Sequence, residues 1–158
     1  QKQLKKKDLH MPAAVFDTIY ASDFIERYLT EMRGALRAGM VVLCDRYMYT
    51  ALARGYARGL KMEHLKPFYD AYFPVPDMSF YFRIPVEVAA KGDLTQPLKH
   101  YEAGMDVRYS DNIIESFKKF QTKVIEGYDI LAEENGIHVI DGIAPVYKTT
   151  PVFIEKIA

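Results

Sequence analysis

The sequence predicts an α/β fold, a three-layer arrangement in which a parallel sheet carries helices on both faces. Three short apolar runs, at residues 40–44, 78–84 and 137–140, read as buried strands because they are continuous rather than alternating. Between them lie segments whose apolar residues recur at three- and four-residue steps, the helical period. Each run also ends on a polar residue, at Asp45, near Arg83 and at Asp141, and ligands gather at such strand ends in open parallel sheets.

In chain order, residues 1–9 carry Lys2, Lys5, Lys6 and Lys7 and read as a basic linker or helix end. Residues 12–37 place Val15, Phe16, Ile19, Tyr20, Tyr28, Leu29, Met32 and Leu36 on one stripe, which predicts a long amphipathic helix with Pro12 in its first turn and Gly39 after its end. The first strand, 40–44, follows directly and delivers Asp45. Helices are predicted over 47–58, closed by Gly59, and over 62–72, stopped by Pro74 and Pro76. Pro76-Asp77 opens the second strand, 78–84, and Pro85 starts a short helix through residue 90. Residues 92–111 are polar and irregular, with Pro97 and Gly104, and read as a lid-like loop. A long helix over 113–134, capped by Asn135-Gly136, leads to the third strand and Asp141-Gly142, and a final helix begins near Pro145. No repeat or second domain is visible, so residues 1–158 read as one domain.

The composition narrows the function classes. Of 158 residues, 49% are hydrophobic, which supports a real core. Lys plus Arg and Asp plus Glu each number 21, so no overall positive field is available to hold nucleic acid or an anionic membrane. The single cysteine, Cys44, excludes an intrachain disulfide framework, fits a cytoplasmic location, and reads as a buried, inert thiol. No apolar run approaches the roughly 20 residues that a membrane span needs. His10, His64, His100 and His138 are too scattered to suggest a metal site, and His138 reads as a packing residue.

The sharpest constellation is Asp45-Arg46-Tyr47 at the end of the first strand. A carboxylate and a guanidinium are costly to bury there unless something polar meets them. Arg46 offers a planar fork suited to phosphate, and Asp45 a carboxylate suited to a Mg²⁺-bound water. An Asp-Arg pair that only caps the next helix fits the same spacing.

Taken with Tyr20-Ala21-Ser22-Asp23, Ala35 to Gly39, Ala51-Leu52-Ala53, Arg58-Gly59-Leu60, Pro76-Asp77, Tyr101-Glu102 and Val139-Ile140-Asp141, this motif resembles the thymidylate kinase family, in its order and roughly its spacing from Val15 onward. The resemblance implies a P-loop kinase fold and a Mg²⁺-assisted phosphoryl transfer from ATP to a nucleoside 5′-monophosphate, with dTMP as the first acceptor. It implies that Asp45 organises the metal and phosphates, that Arg46 binds the acceptor phosphate, and that Tyr20 stacks on the base. A stacked base gains about 1–3 kcal/mol on an aromatic face, although Tyr20 suits plain core packing as well. Asp23, Phe24, Tyr47, Ala51 and Arg54 fall at the family's substrate-binding positions. Lys99 and Arg108 are the lid cations for the transferred phosphate, if they are not simply solvated charges. The resemblance further implies a homodimer, for which the helix over 12–37 is the candidate contact.

The departures are specific. The family's base-reading arginine after the acid is here Phe24, and its tyrosine near the nucleoside is replaced around Ala51 and Arg54, which leaves the selected base open. No G-x-x-x-x-G-K-[ST] sequence occurs, and Gly55 to Gly59 is followed by Leu60. The expectation is that the phosphate-cradling loop and the central strand before it belong to an N-terminal segment outside this sequence. The alternatives are a nucleotide-binding or protein-interaction module of the same fold without catalysis, and a deoxynucleoside kinase.

Overall fold

A computed structural model of the chain describes residues 11–91 and 98–157. The basic stretch at 1–9 and the first part of the lid-like loop, residues 92–97, lie outside the described residues.

The expected first helix is divided. α1 spans Ala13–Arg27, a π-helical stretch covers Tyr28–Met32, and α2 completes the segment at Arg33–Arg37. The wider turn rotates the apolar stripe out of phase. Phe16, Ala21 and Phe24 are buried before it, whereas Leu29 and Leu36 are 44% and 40% exposed.

Residues 40–44 are the main correction to the sequence reading. They form no strand, and Val41 and Leu43 are 87% and 90% exposed. An apolar run becomes a strand only when a neighbouring backbone pairs with it, and none does so among the described residues. Asp45 and Arg46 are therefore exposed, not set at a buried strand end. Cys44 is exposed as well, with its Sγ 3.9 Å from the Met32 Sδ, and partial desolvation raises its thiol pKa while Arg27 opposes that shift.

The remaining elements follow the predicted order: α3 (Met48–Ala57), α4 (Met62–Tyr72), β1 (Phe80–Arg83), α5 (Val86–Ala89), α6 (Ile113–Asn135), β2 (His138–Asp141) and α7 (Val146–Ile157). The sheet of the described residues has two strands where three were expected. β1 and β2 pair in parallel, with Phe80 opposite His138 and Arg83 opposite Asp141. Successive strand residues face opposite sides. Accordingly, Phe80 packs on Phe153 of α7 at 4.2 Å between ring centroids, and Tyr81 stacks on Tyr128 of α6 at 4.7 Å. His138 is a packing residue, its ring 5.4 Å from Phe80. The chain thus has a mixed α/β architecture around a small parallel sheet.

α6 is the longest helix and its ends are chemically defined. The Asn112 side chain accepts from the amides of Ile114 and Glu115, and Gly136, at φ 63°, closes the other end in the left-handed region. Its buried face includes Phe117, and Phe120, Val124 and Leu131 of that face join residues of α1, α3 and α4 in the core. The described part of the loop, 98–111, lies against that core. The Ser116 hydroxyl donates to the Ala103 carbonyl at 2.7 Å, and the Tyr109 hydroxyl to the Ala57 carbonyl at 2.7 Å. No helix among the described residues is long and apolar enough to cross a membrane.

Candidate functional site

The site is built on one face of α3. Thr50, Arg54 and Arg58, the last just past the helix end, recur at four-residue steps, and a helix turns such a series onto a single side, while Arg46 precedes the helix. The entry to the helix is strained: Arg46 has φ 74°, unusual for a side-chain-bearing residue, and Tyr47 is extended. A backbone in that region costs on the order of 1–3 kcal/mol and persists only when its surroundings hold it. Tyr47 supplies part of the hold. Its hydroxyl donates to the Pro74 carbonyl at 3.1 Å, and its ring meets Phe73 edge-on at 5.7 Å. Asp45 and Arg46 are thereby presented to solvent at the mouth of α3.

Further along α3, Ala51, Arg54 and Arg58 face Phe16, Asp17 and Tyr20 of α1 across a small pocket. Its volume is about 10 Å³, near the lower limit for one water molecule. Arg58 is fully engaged in the wall. Its Nε and Nη2 donate to the two Asp106 carboxylate oxygens at 2.7 and 3.3 Å, and Nη2 also donates to the Tyr101 carbonyl at 3.0 Å. Its guanidinium lies 3.9 Å from the Phe16 ring centroid and 4.8 Å from that of Phe120. Burial lowers the Arg58 pKa and Asp106 raises it again, and the group remains charged.

Asp17 is buried, and its carboxyl is pushed up by burial, with the Tyr69 hydrogen bond and the Arg58 charge opposing the shift. Tyr128 of α6 closes the other side of α3, its hydroxyl 2.7 Å from the Thr50 hydroxyl. Burial raises the Tyr128 pKa, while the Thr50 contact and the fields of Arg54 and Arg46 work against that rise. Both guanidinium groups are therefore within electrostatic reach of one phenol.

The residues singled out from the sequence divide into three groups. Tyr20, Ala51 and Arg54 are brought together at the pocket, with Tyr20 half-buried and stacked on Phe16 at 5.8 Å. Asp45, Arg46 and Tyr47 stand at its helical entrance. The others lie elsewhere. Asp23 pairs with Arg27 at 3.0 Å along α1, and Phe24 is buried in the core, edge-on to Phe73 at 6.5 Å. Lys99 pairs with Glu102 at 3.6 Å, and Arg108 is exposed with φ 55°.

Sequence reasoning did not single out Asp17, Thr50, Arg58, Asp106 or Tyr128 for the site. The four-residue spacing from Thr50 through Arg54 to Arg58 was the available signal for Thr50 and Arg58; Asp17, Asp106 and Tyr128 carried none that pointed to the site.

No family model matches the chain. Among curated proteins, it is 35% identical to the probable thymidylate kinase 2 of Saccharolobus solfataricus over 159 aligned residues, covering 99% of this chain and 73% of that protein. It is 32% identical to the probable thymidylate kinase of Pyrococcus abyssi over 109 residues, covering 65% of this chain and 53% of the relative. It is 29% identical to the thymidylate kinase of Bacillus pumilus over 148 residues, covering 90% and 66%. The chain thus spans between about half and three quarters of the length of these relatives.

Proposed function

The chain belongs to the thymidylate kinase family, and from that premise we propose that the whole protein transfers the γ-phosphoryl group of ATP, with Mg²⁺, to the 5′-phosphate of a nucleoside monophosphate, dTMP first among them. The observation that carries this reading is the layout of α3: an exposed guanidinium, Arg46, at its mouth, and an aromatic wall, Tyr20, beside Ala51 and Arg54 further along. Arg54 lies about 9 Å along the axis from Met48 at 1.5 Å per residue, a span comparable to that from the phosphate to the base of a nucleotide. Arg46 clamps the acceptor phosphate by charge-assisted hydrogen bonds, Tyr20 takes the base face, and Lys99 and Arg108 are the lid cations.

Asp45 suits the magnesium ion. Its exposed carboxylate is a hard oxygen donor, and among the described residues no group of three or more His, Cys, Asp or Glu is placed to hold a metal. In this reading the ion is carried mainly by nucleotide phosphates and touched by Asp45 through water. Bound there, Mg²⁺ supplies charge neutralisation on the phosphates. Catalysis in such a site is positioning and electrostatic stabilisation. The donor phosphates require a cradle that residues 1–158 do not contain, so the reading assigns it to sequence outside them. Exposed Leu29 and Leu36 support the homodimer contact on residues 12–37.

The test uses the full-length protein with ATP, Mg²⁺ and a panel of nucleoside monophosphates. Arg46→Ala is expected to raise the acceptor KM and lower kcat, with kcat/KM down roughly a hundredfold, and Asp45→Asn to lower kcat. Undiminished turnover in both variants overturns the assignment. Phe24 in place of the family's base-reading arginine allows a second reading, a nucleotide-binding or protein-interaction module without turnover, for which the full-length wild type yields no product. Chromatography of products separates a deoxynucleoside kinase, which would accept the unphosphorylated nucleoside.

A further inference from the structure

Arg54 stands apart from every other cation of the site. It is only 8% exposed, yet its guanidinium makes no hydrogen bond or ion pair with any described residue. Among the described residues no fully sealed side-chain nitrogen or oxygen lacks a partner, so its N–H groups reach an opening. That opening is the pocket it shares with Phe16, Asp17, Tyr20 and Ala51. A guanidinium carries five donors and no acceptor, and it stays charged. Held this deep without a partner among the described residues, it meets only what enters that opening, and an acceptor from a ligand can take the place of water there.

Three features of the pocket favour a neutral carbonyl oxygen over a phosphate. The pocket has room for about one water, at a volume of about 10 Å³, which suits a single oxygen atom better than a phosphate group. The Asp17 carboxyl lies in the same wall and opposes a dianion. Phe16 and Tyr20 supply aromatic surface against which a planar ring, rather than a hydrated anion, gains by contact. Arg58, the neighbouring guanidinium, is already matched by Asp106 and contributes no unmet charge.

We propose that Arg54 is the specificity-determining residue for the base: it donates to a ring carbonyl oxygen of a pyrimidine lying on Tyr20, and so selects thymine or uracil over cytosine. This rests on the nucleoside monophosphate reading of the site. Cytosine presents an amino group where thymine and uracil present that oxygen, which sets donor against donor. Phe24, buried in the core, offers no hydrogen bond to the base, and Arg54 supplies one from the facing helix.

Equilibrium titration of the full-length protein without ATP tests this, with dTMP, dUMP, dCMP and the base-free 2-deoxyribose 5-phosphate as probes. Wild type is expected to bind dTMP and dUMP more tightly than dCMP. Arg54→Met is expected to weaken dTMP and dUMP roughly 10- to 100-fold, to leave 2-deoxyribose 5-phosphate within about twofold, and to abolish the preference over dCMP. Arg54→Lys keeps charge and stem and is expected to retain part of the preference; it gives the same readout if Arg54→Met does not fold. Equal weakening of the base-free sugar phosphate, or an unchanged base preference in both variants, overturns the role of Arg54 alone. Wild type that binds none of the nucleotides overturns the nucleoside monophosphate reading, and this inference with it.

Discussion

Asp17 is held 9% exposed between Tyr69, whose hydroxyl donates to its Oδ1 at 3.1 Å, and the Arg58 side of the pocket. Burial dominates and raises its pKa. The folded state therefore keeps the Asp17 proton to a higher pH than the unfolded chain does. Stability falls as pH rises from about 4, the unfolded value, through the raised folded value, and the loss is constant above it. Asp17→Asn keeps an acceptor for Tyr69 and removes the titration. The variant is expected to be at least as stable as wild type at pH 7, with its advantage shrinking as pH falls toward about 4. Urea unfolding across that range reads the outcome; a variant that is less stable at pH 7, by an amount that diminishes in acid, would show the carboxylate to be net favourable beside Arg58. At the same scale, Arg46 and Arg54 illustrate what was legible. Their residue types, and the four-residue step from Thr50 to Arg54, stand in the sequence, whereas the φ of 74° at Arg46 and the burial of Arg54 without a partner among the described residues arise from packing around them.

Helices α3 and α6 cross where Ala53 meets Gly127. A Cβ on Gly127 would stand 3.1 Å from the Ala53 Cα and 3.2 Å from its carbonyl oxygen, backbone atoms that cannot swing aside. Alanine is better than glycine in a helix by about 0.8–1 kcal/mol, and overpacking costs typically about 1–3 kcal/mol. At this crossing the second effect dominates because both partners are helical backbone. Gly127→Ala is therefore expected to be destabilising by about 1–2 kcal/mol, seen as a lower urea midpoint; an unchanged or higher midpoint would mean that the helices separate easily. The helices themselves were legible because their signals are local: the apolar stripe of α6 with Asn135-Gly136 after it, and Pro85 before α5. The π-helical stretch Tyr28–Met32 was not, since no residue there differs from what an ordinary helix accepts. It changed which apolar residues reach the core, and left Leu29 and Leu36 outside.

Across the whole molecule, the segment 98–111 is tied to the helical core by Arg58 and Asp106, residues 48 apart in sequence, with side chains only 1% and 9% exposed. Removing one partner of a buried ion pair leaves the other uncompensated, at about 3–5 kcal/mol. Asp106→Ala is accordingly expected to lower the unfolding free energy by that order and to expose 98–111 to limited proteolysis. The Arg58→Met, Asp106→Leu double variant should recover much of the loss, and a double variant no better than the single would show that the pair contributes more than charge balance. The sequence by itself determined the α/β class, the order of helices and the last two strands, and the Asp45-Arg46-Tyr47 motif with Tyr20 and Arg54, because periodicity, caps and residue chemistry are carried by neighbouring residues. Only the tertiary structure decided that residues 40–44 remain unpaired, that Asp45 and Arg46 reach solvent, and that Arg58 is neutralised while Arg54 is not. Strand pairing and ion pairing join groups far apart along the chain, and nothing local to Val41 or Arg58 records whether the partner will be there.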